Sequence, residues 1–219
     1  MARGAMLALD IGVQESHLSR RGVVMERCSS IHRRTAETDI RVSLDLDGSG
    51  IYTLHTGIPF LDHMLSMVAR HGFYDLEVHA TGDLDVDYHH TVEDVGICLG
   101  QAFHEAMGTK QGMRRYASAS VPLEETLASA VIDFCDRPYL VYNVDMPPGR
   151  IGTFDVELVE TFFLGFASHS RTTLHLNLQY GRNRHHIAEA LFKSFSRAAD
   201  EATKLEPRLT GLLTTKEAF

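Results

Sequence analysis

The sequence has no tryptophan, only six prolines and only three cysteines in 219 residues. Cys28, Cys98 and Cys135 lie far apart and are odd in number, so they predict no disulfide framework and no CxxC metal site, and they favour a reducing compartment. No apolar run approaches the roughly 18 residues that a membrane-spanning helix needs. Lys and Arg number 21 against 29 Asp and Glu, a formal charge of -8. We therefore expect a cytoplasmic protein with no nucleic-acid or membrane partner.

Histidine is present in excess, with 13 copies that include two His-His pairs. The chain is 44% apolar and 23% charged, proportions that are typical of a folded domain rather than a disordered chain. Residues 1–27 have no apolar core followed by a signal-peptidase cleavage site, so a secretory signal peptide is not expected. We therefore interpret residues 1–30 as a mobile N-terminal extension. A single domain over 31–219 then follows, made of two repeats at about 37–108 and 125–205.

The first half of that domain alternates between strand and helix patterns. Apolar and polar side chains alternate where strands are predicted, and apolar side chains recur at helical spacing where helices are predicted. The turn residues 47–50 are typical of a hairpin, and Pro59 favours the start of a helix. In chain order the predicted elements are paired strands at 40–46 and 51–54, a helix at 59–72, a strand at 76–80 and a helix at 92–106.

The second half repeats the same order. Its predicted elements are paired strands at 127–134 and 139–144, a helix at 156–167, a strand at 173–178 and a helix at 187–202. Individual residues repeat as well: His71 and Leu76 are matched by His169 and Leu174 at a constant offset. We interpret the chain as a tandem duplication of a ββαβα half-unit. The expected fold class is α+β, a two-layer architecture with the helices on one face of the sheet.

The motif HHxxE occurs once in each half, at His89-His90-x-x-Glu93 and at His185-His186-x-x-Glu189. Imidazole and carboxylate together suit divalent transition metals, and the absence of thiolates favours Mn or Fe over structural Zn. On a helix, positions i and i+4 share a face, whereas the next position points about 100° away. Each motif therefore offers two half-sites for two different ions. The partner half-sites lie either in the same chain or in a neighbouring subunit.

Two further observations narrow the class of site. Carboxylate and histidine ligands on helices also build di-iron four-helix bundles, but strands separate the predicted helices in both halves. Lys193 lies one helical turn beyond Glu189, on the metal-facing side, which indicates an anionic substrate. The chain has no GxxxxGK[ST] phosphate loop, so a nucleoside triphosphate is not expected.

Six short segments together resemble the imidazoleglycerol-phosphate dehydratase family. They are Arg33-x-Thr35-x-Glu37-Thr38, Gly57-Ile-Pro-Phe-Leu-Asp-His63-Met-Leu65, His89-His-Thr-Val-Glu-Asp94, Arg137-Pro-Tyr139, Thr173-Leu-His175 and His185-His-Ile-Ala-Glu-Ala190. The resemblance runs from about residue 31 to about 216. It implies a catalytic domain that converts D-erythro-imidazole glycerol phosphate into imidazole acetol phosphate and water, a step of histidine biosynthesis. It also implies two Mn²⁺ ions per active site and an assembly of 24 subunits that share sites.

The resemblance assigns roles to individual positions of this chain. It implies that Glu37 acts as acid or base on the substrate. It implies metal ligands at His63, His89, His90, Glu93, His185, His186 and Glu189. It implies that substrate and phosphate are bound by Arg115, Arg137 and Lys193 and, in a functional C-terminal tail, by Thr214, Thr215 and Lys216.

Two positions depart from the family pattern. Thr161 stands where plant and mycobacterial members have a histidine ligand, at the position of the second half that aligns with His63. The tail has Glu217 after Lys216, where a glycine is usual. Two other functions would use the same metal ligands: a dinuclear hydrolase of small phosphate esters, and a metal-storage shell. A storage shell would leave Glu37 and the cations without a role.

Overall fold

The computed structural model describes residues 26–216. Most of the predicted extension, and residues 217–219 of the tail, lie outside the described residues. The first half contains β1 (Cys28–Arg34), β2 (Thr38–Asp45), β3 (Tyr52–His55), α1 (Pro59–Gly72), β4 (Asp75–Gly82) and α2 (His89–Met107). The second half contains β5 (Tyr116–Leu123), β6 (Thr126–Asp133), β7 (Tyr139–Asn143), β8 (Arg150–Ile151), β9 (Phe154–Asp155), α3 (Leu158–His169), β10 (Thr173–Tyr180) and α4 (Arg184–Thr203).

Each half forms a four-stranded sheet with two helices packed on one face, which confirms the predicted α+β class and the duplication. The strand orders are β1-β2-β4-β3 and β5-β6-β10-β7, so the two sheets have equivalent topologies. In each sheet the strand that comes last in the chain, β4 or β10, pairs antiparallel with one neighbour and parallel with the other. The helices lie between the sheets, where α1 packs against α4 and α2 against α3.

Each half also has a first strand that the alternation of apolar residues does not reveal. In β1 only Ile31 is buried, and in β5 no residue is fully buried. Both are edge strands, which cover one side of the sheet and bury few side chains. Serines, histidine and arginines in β1 therefore carry no strong strand pattern.

The predicted hairpin at 40–46 and 51–54 is wrong, because β3 pairs with β4 and not with β2. Asp75, at the start of β4, accepts hydrogen bonds from the backbone N–H groups of Ser49 and Ile51 at 2.8 and 2.9 Å. These bonds attach the turn to the start of β4, so that β3 pairs with the edge of β4 opposite to β2. The predicted pairing of 127–134 with 139–144 is wrong in the same way, since β10 lies between β6 and β7.

The interior is made of aliphatic side chains from the sheets and phenylalanines from the helices. The inward positions of β2 are Ile40, Val42 and Leu44, all essentially inaccessible to solvent. On the helices, six phenylalanines form a connected set of ring contacts: Phe103, Phe162, Phe163, Phe166, Phe192 and Phe195. Phe103 on α2 contacts Phe166 on α3, and this contact crosses the interface between the halves. No helix within residues 26–216 has both the length and the apolarity needed to cross a bilayer.

Glycines permit the close crossing of α2 and α3. A Cβ added at Gly96 would collide with the carbonyl oxygen of Phe162, and one at Gly100 would lie 2.5 Å from the carbonyl oxygen of Phe166. From the other helix, a Cβ at Gly165 would lie 2.9 Å from the carbonyl oxygen of Glu93. The crossing therefore fixes the backbone of α2 beside the first HHxxE motif.

We predict that Gly96→Ala destabilises the protein although alanine favours helix. The clash with the Phe162 carbonyl should lower the free energy of unfolding by about 1–3 kcal/mol, as overpacking of a core does. Denaturant unfolding would measure it. Glu105→Ala, on the exposed face of the same helix, is the control and should leave stability nearly unchanged. A Gly96→Ala protein as stable as wild type would show that the helices do not depend on this contact.

Candidate functional site

The second HHxxE motif and the helix α1 histidine converge on one carboxylate. Nε2 of His63 lies 3.2 Å from Oε2 of Glu189, and Nε2 of His185 lies 3.1 Å from the same oxygen. The packing of α1 against α4 supplies the first contact, and the i,i+4 spacing on α4 supplies the second. Asn183 caps α4 by accepting hydrogen bonds from the N–H groups of His185 and His186. His63, His185 and Glu189 thus form a group whose ligand atoms all lie within 4.8 Å of one another.

Glu189 is held ionised by its neighbours. Nζ of Lys193 lies 2.5 Å from Oε1, the oxygen that the histidines do not contact. Burial acts to raise the pKa of Glu189, but the hydrogen bonds from Lys193, His63 and His185 outweigh it and hold that pKa below its usual value. Two imidazole nitrogens and a carboxylate oxygen facing one point are a donor set that fits Mn²⁺ and similar divalent ions.

The first HHxxE motif has the same ring arrangement as the second but different contacts. The rings of His89 and His90 are perpendicular with centroids 6.1 Å apart, and those of His185 and His186 are nearly so at 6.3 Å, so the two rings of each pair point toward different partners. Nδ1 of His90 lies 2.9 Å from Oδ2 of Asp83. In the part of the chain that the structure describes, His89 and Glu93 form no three-donor group. Thr161 takes the position in α3 that His63 has in α1, and its hydroxyl donates to the carbonyl oxygen of Glu157, at 3.5 Å.

Glu37 lies beside the first motif, in the turn between β1 and β2. The turn is tied to α2 by Asp94, which accepts hydrogen bonds from Oγ1 of Thr38 at 2.5 Å and from Nε of Arg33 at 3.0 Å. Oε2 of Glu37 lies 3.9 Å from Nδ1 of His90, and its side chain is 53% exposed. The carboxylate predicted to exchange a proton is therefore near the predicted metal ligands but open to solvent.

Two carboxylates that contact predicted histidine ligands, Asp83 and Glu125, were not singled out from the sequence. Oε2 of Glu125 lies 2.7 Å from Nδ1 of His186. That hydrogen bond, with backbone bonds from Asn183 and Arg182, lowers the pKa of Glu125 to about 2. In the same way, Asp83 and Glu125 raise the pKa values of His90 and His186. The duplication offered one signal for Glu125, because Glu125 immediately precedes β6 just as Glu37 immediately precedes β2.

The two HHxxE motifs do not meet within one chain. Over residues 26–216, no hydrogen bond or ion pair joins the set around His89 and His90 to the set around His185 and His186. The halves are related by the duplication, so each motif lies at the start of its own helix, α2 or α4.

Five of the six residues predicted to bind substrate line one cavity of about 570 Å³. They are Arg115, Arg137, Thr214, Thr215 and Lys216. The sixth, Lys193, lies instead beside Glu189. The structure thus separates the predicted cations into an arginine-lined cavity at the tail and one lysine at the histidine cluster.

Arg115 connects that cavity to the body of the protein. Its Nε donates to Oδ1 of Asp133 at 2.7 Å, and its Nη1 donates to the carbonyl oxygen of Leu213 at 2.6 Å. A backbone hydrogen bond from Gly112 to the carbonyl oxygen of Gly211 adds a second attachment, 2.8 Å long. Arg115 therefore holds the tail in place as well as lining the cavity.

Comparisons with known proteins are in agreement with one another. The family model described as imidazoleglycerol-phosphate dehydratase matches residues 56–199. The dehydratase of Pelobacter propionicus is 55% identical over 192 residues, covering 88% of this chain and 98% of that protein, and that of Citrifermentans bemidjiense is 56% identical with the same coverage. The solved Staphylococcus aureus enzyme superimposes with a TM-score of 0.74 at 37% identity, covering 81% of this chain and 99% of that one. The Pyrococcus furiosus structure gives 0.75 at 34% identity, with 86% and 100% covered.

We predict that Arg115→Ala releases the C-terminal tail. Losing the bond to the Leu213 carbonyl should make residues 206–216 several-fold more susceptible to limited proteolysis, measured by mass spectrometry of the fragments. Arg137→Ala is the matched control, because Arg137 lines the same cavity and no hydrogen bond from its side chain to the tail is seen among the described residues. Equal cleavage rates in the two variants would contradict an anchoring role for Arg115.

Proposed function

We infer the chemistry of this chain from one premise: it belongs to the imidazoleglycerol-phosphate dehydratase family. It is accordingly a lyase, a dehydratase of histidine biosynthesis that acts on a small molecule. We propose that its substrate is D-erythro-imidazole glycerol phosphate and its products are imidazole acetol phosphate and water. The observation that carries the proposal is the convergence of His63, His185 and Glu189, beside a lysine and within a fold of this family.

The proposed reaction depends on metal, with two Mn²⁺ ions per active site or other divalent transition ions in their place. We assign His63, His185 and Glu189 to one ion, because a ring nitrogen of each histidine and a carboxylate oxygen of Glu189 already lie within 4.8 Å of one another. The remaining ligands in this proposal are His89, His90, Glu93 and His186. A bound divalent ion supplies a Lewis acid toward the imidazole nitrogen and the hydroxyl group of the substrate.

The side chains of this chain then divide the remaining tasks. We assign to Glu37 the transfer of the substrate's carbon-bound proton, because its carboxylate is exposed and lies next to His90. Arg115, Arg137, Thr214, Thr215 and Lys216 bind the phosphate, since cationic and hydroxyl donors line their common cavity. Lys193 keeps Glu189 ionised and directs its second oxygen toward the histidines. Holding the phosphate fixes the reacting carbon relative to Glu37.

We propose that complete sites form between copies of the chain, in an assembly of 24 subunits. The separation of the two HHxxE motifs supports sharing, because neither motif brings all of the proposed ligands together. The outer faces of the sheets differ: the second carries the exposed Tyr116, Val131 and Tyr139, a surface that suits contact with another copy. The first carries the polar row His32, Arg41, His79 and His55.

Glu37→Gln should abolish turnover while the protein still binds metal and substrate. Removing the only ionisable group of a side chain that moves a proton lowers the rate by about 10²–10⁴-fold. Steady-state kinetics and metal analysis would measure both properties on the same sample. Glu77→Gln, an exposed carboxylate on the first sheet, is the control. A Glu37→Gln enzyme with wild-type kcat would remove Glu37 from proton transfer.

His89→Ala should lower the metal content of the purified protein, because it removes one proposed ligand from an otherwise intact helix. Inductively coupled plasma mass spectrometry after gel filtration would give metal per chain and the assembly size. His79→Ala, a histidine on the outer face of the first sheet, should retain wild-type metal content. Unchanged metal in His89→Ala would contradict the ligand assignment.

A further inference from the structure

We propose that Glu125 and Asp83 are positioning residues that orient His186 and His90, and that the Asp83 contact keeps Glu37 available for proton transfer. The proposal rests on the proposed function, since it explains how two proposed metal ligands are held. In the two halves of the duplication, the second histidine of the HHxxE motif is contacted by carboxylates from different positions.

In the second half the carboxylate before β6 is fully engaged. Oε2 of Glu125 contacts Nδ1 of His186 at 2.7 Å, and Oε1 accepts backbone hydrogen bonds from Asn183 at 2.9 Å and Arg182 at 3.2 Å. A carboxylate at Nδ1 places the ring proton there and leaves the lone pair of Nε2 free for a metal. Glu125 therefore fixes both the rotation of the His186 ring and the nitrogen that it presents.

In the first half another residue has this task. Nδ1 of His90 contacts Oδ2 of Asp83 at 2.9 Å, while Oε2 of Glu37 stays at 3.9 Å, beyond hydrogen-bond distance. The other oxygen of Asp83, Oδ1, is buried without a hydrogen-bond partner among the described residues. A buried unpaired carboxylate oxygen costs stability, so packing alone does not account for Asp83.

The duplication shows why the halves differ. Glu37 and Glu125 occupy equivalent places, immediately before β2 and β6, and Asp83 directly follows β4. Gly82 lies against Thr38 and Thr91 just as Gly181 lies against Thr126 and Ile187, so these two glycines are equivalent. The residue after Gly181 is Arg182, so the second half has an arginine and not a carboxylate at the position of Asp83, and Glu125 holds the histidine itself. In the first half Asp83 relieves Glu37 of that contact.

Metal affinity tests the two positioning contacts directly. Mn²⁺ would be titrated by calorimetry into chelator-stripped wild type, Glu125→Gln and Asp83→Asn, with melting temperature recorded for each. We expect affinity to fall about 10–100-fold in both variants, as loss of a partner that orients a ligand does. The controls Glu105→Gln and Asp85→Asn remove the same charge from exposed carboxylates that belong to no candidate metal group among the described residues, and they should bind Mn²⁺ like wild type.

A double-variant cycle tests the release of Glu37. With Asp83 intact, Glu37→Gln should leave Mn²⁺ affinity unchanged, because Glu37 does not hold His90. In the Asp83→Asn background His90 is free to turn to Glu37, so adding Glu37→Gln should lower affinity further. A purely structural role for Asp83 would give additive effects. The cycle also keeps the proposal testable if Glu125→Gln does not assemble.

The outcomes separate this inference from the function on which it rests. If wild type binds no Mn²⁺, the metal-dependent function and the inference are both overturned. If wild type binds Mn²⁺ and the Glu125 and Asp83 variants match their controls, only the positioning roles are overturned. If both variants lose affinity at unchanged melting temperature and the cycle is non-additive, the inference stands.

Discussion

The candidate site depends on the packing of helices from one half of the chain against helices of the other. The contact of α1 with α4 brings His63 to Glu189, although 126 residues separate them. The contact of α2 with α3 has the equivalent place in the duplication, and its glycines let the two backbones approach closely. The buried apolar contacts fix how the helices lie against one another, and they thereby fix the positions of the polar side chains at the helix ends. The chemistry is located there because each helix that begins with a histidine pair is fixed by a partner from the opposite half.

The duplication created two similar sets of side chains, and their differences are as informative as their likeness. One set has His63 beside its glutamate, and the other has Thr161 at the equivalent position. The second histidine of the first motif, His90, is held by Asp83, and that of the second motif, His186, is held by Glu125. These substitutions leave the two sets unequal within each chain, which accords with a proposal in which a neighbouring copy completes the site.

The sequence was sufficient to predict the α+β class, the duplication and the four helices, because these features depend on apolar periodicity and on repeated residues. It did not reveal the edge strands β1 and β5, since strands that bury few side chains have no apolar alternation. The hairpins were wrong because the order of strands is decided by contacts distant in sequence, such as those that Asp75 makes with the preceding turn. The structure brings some of the predicted site residues together, such as His63, His185 and Glu189. Lys193 lies apart from the arginines, and Asp83 and Glu125 were missed because a single carboxylate outside a motif has no periodic signature.

The most direct test of this account is the dehydration of imidazole glycerol phosphate by protein stripped of metal with a chelator. The assay would follow formation of imidazole acetol phosphate before and after Mn²⁺ is restored, with bound metal measured in the same samples. We expect no product from the stripped protein and full recovery of turnover when Mn²⁺ returns. Undiminished turnover without metal, or no turnover at full Mn²⁺ occupancy, would contradict it.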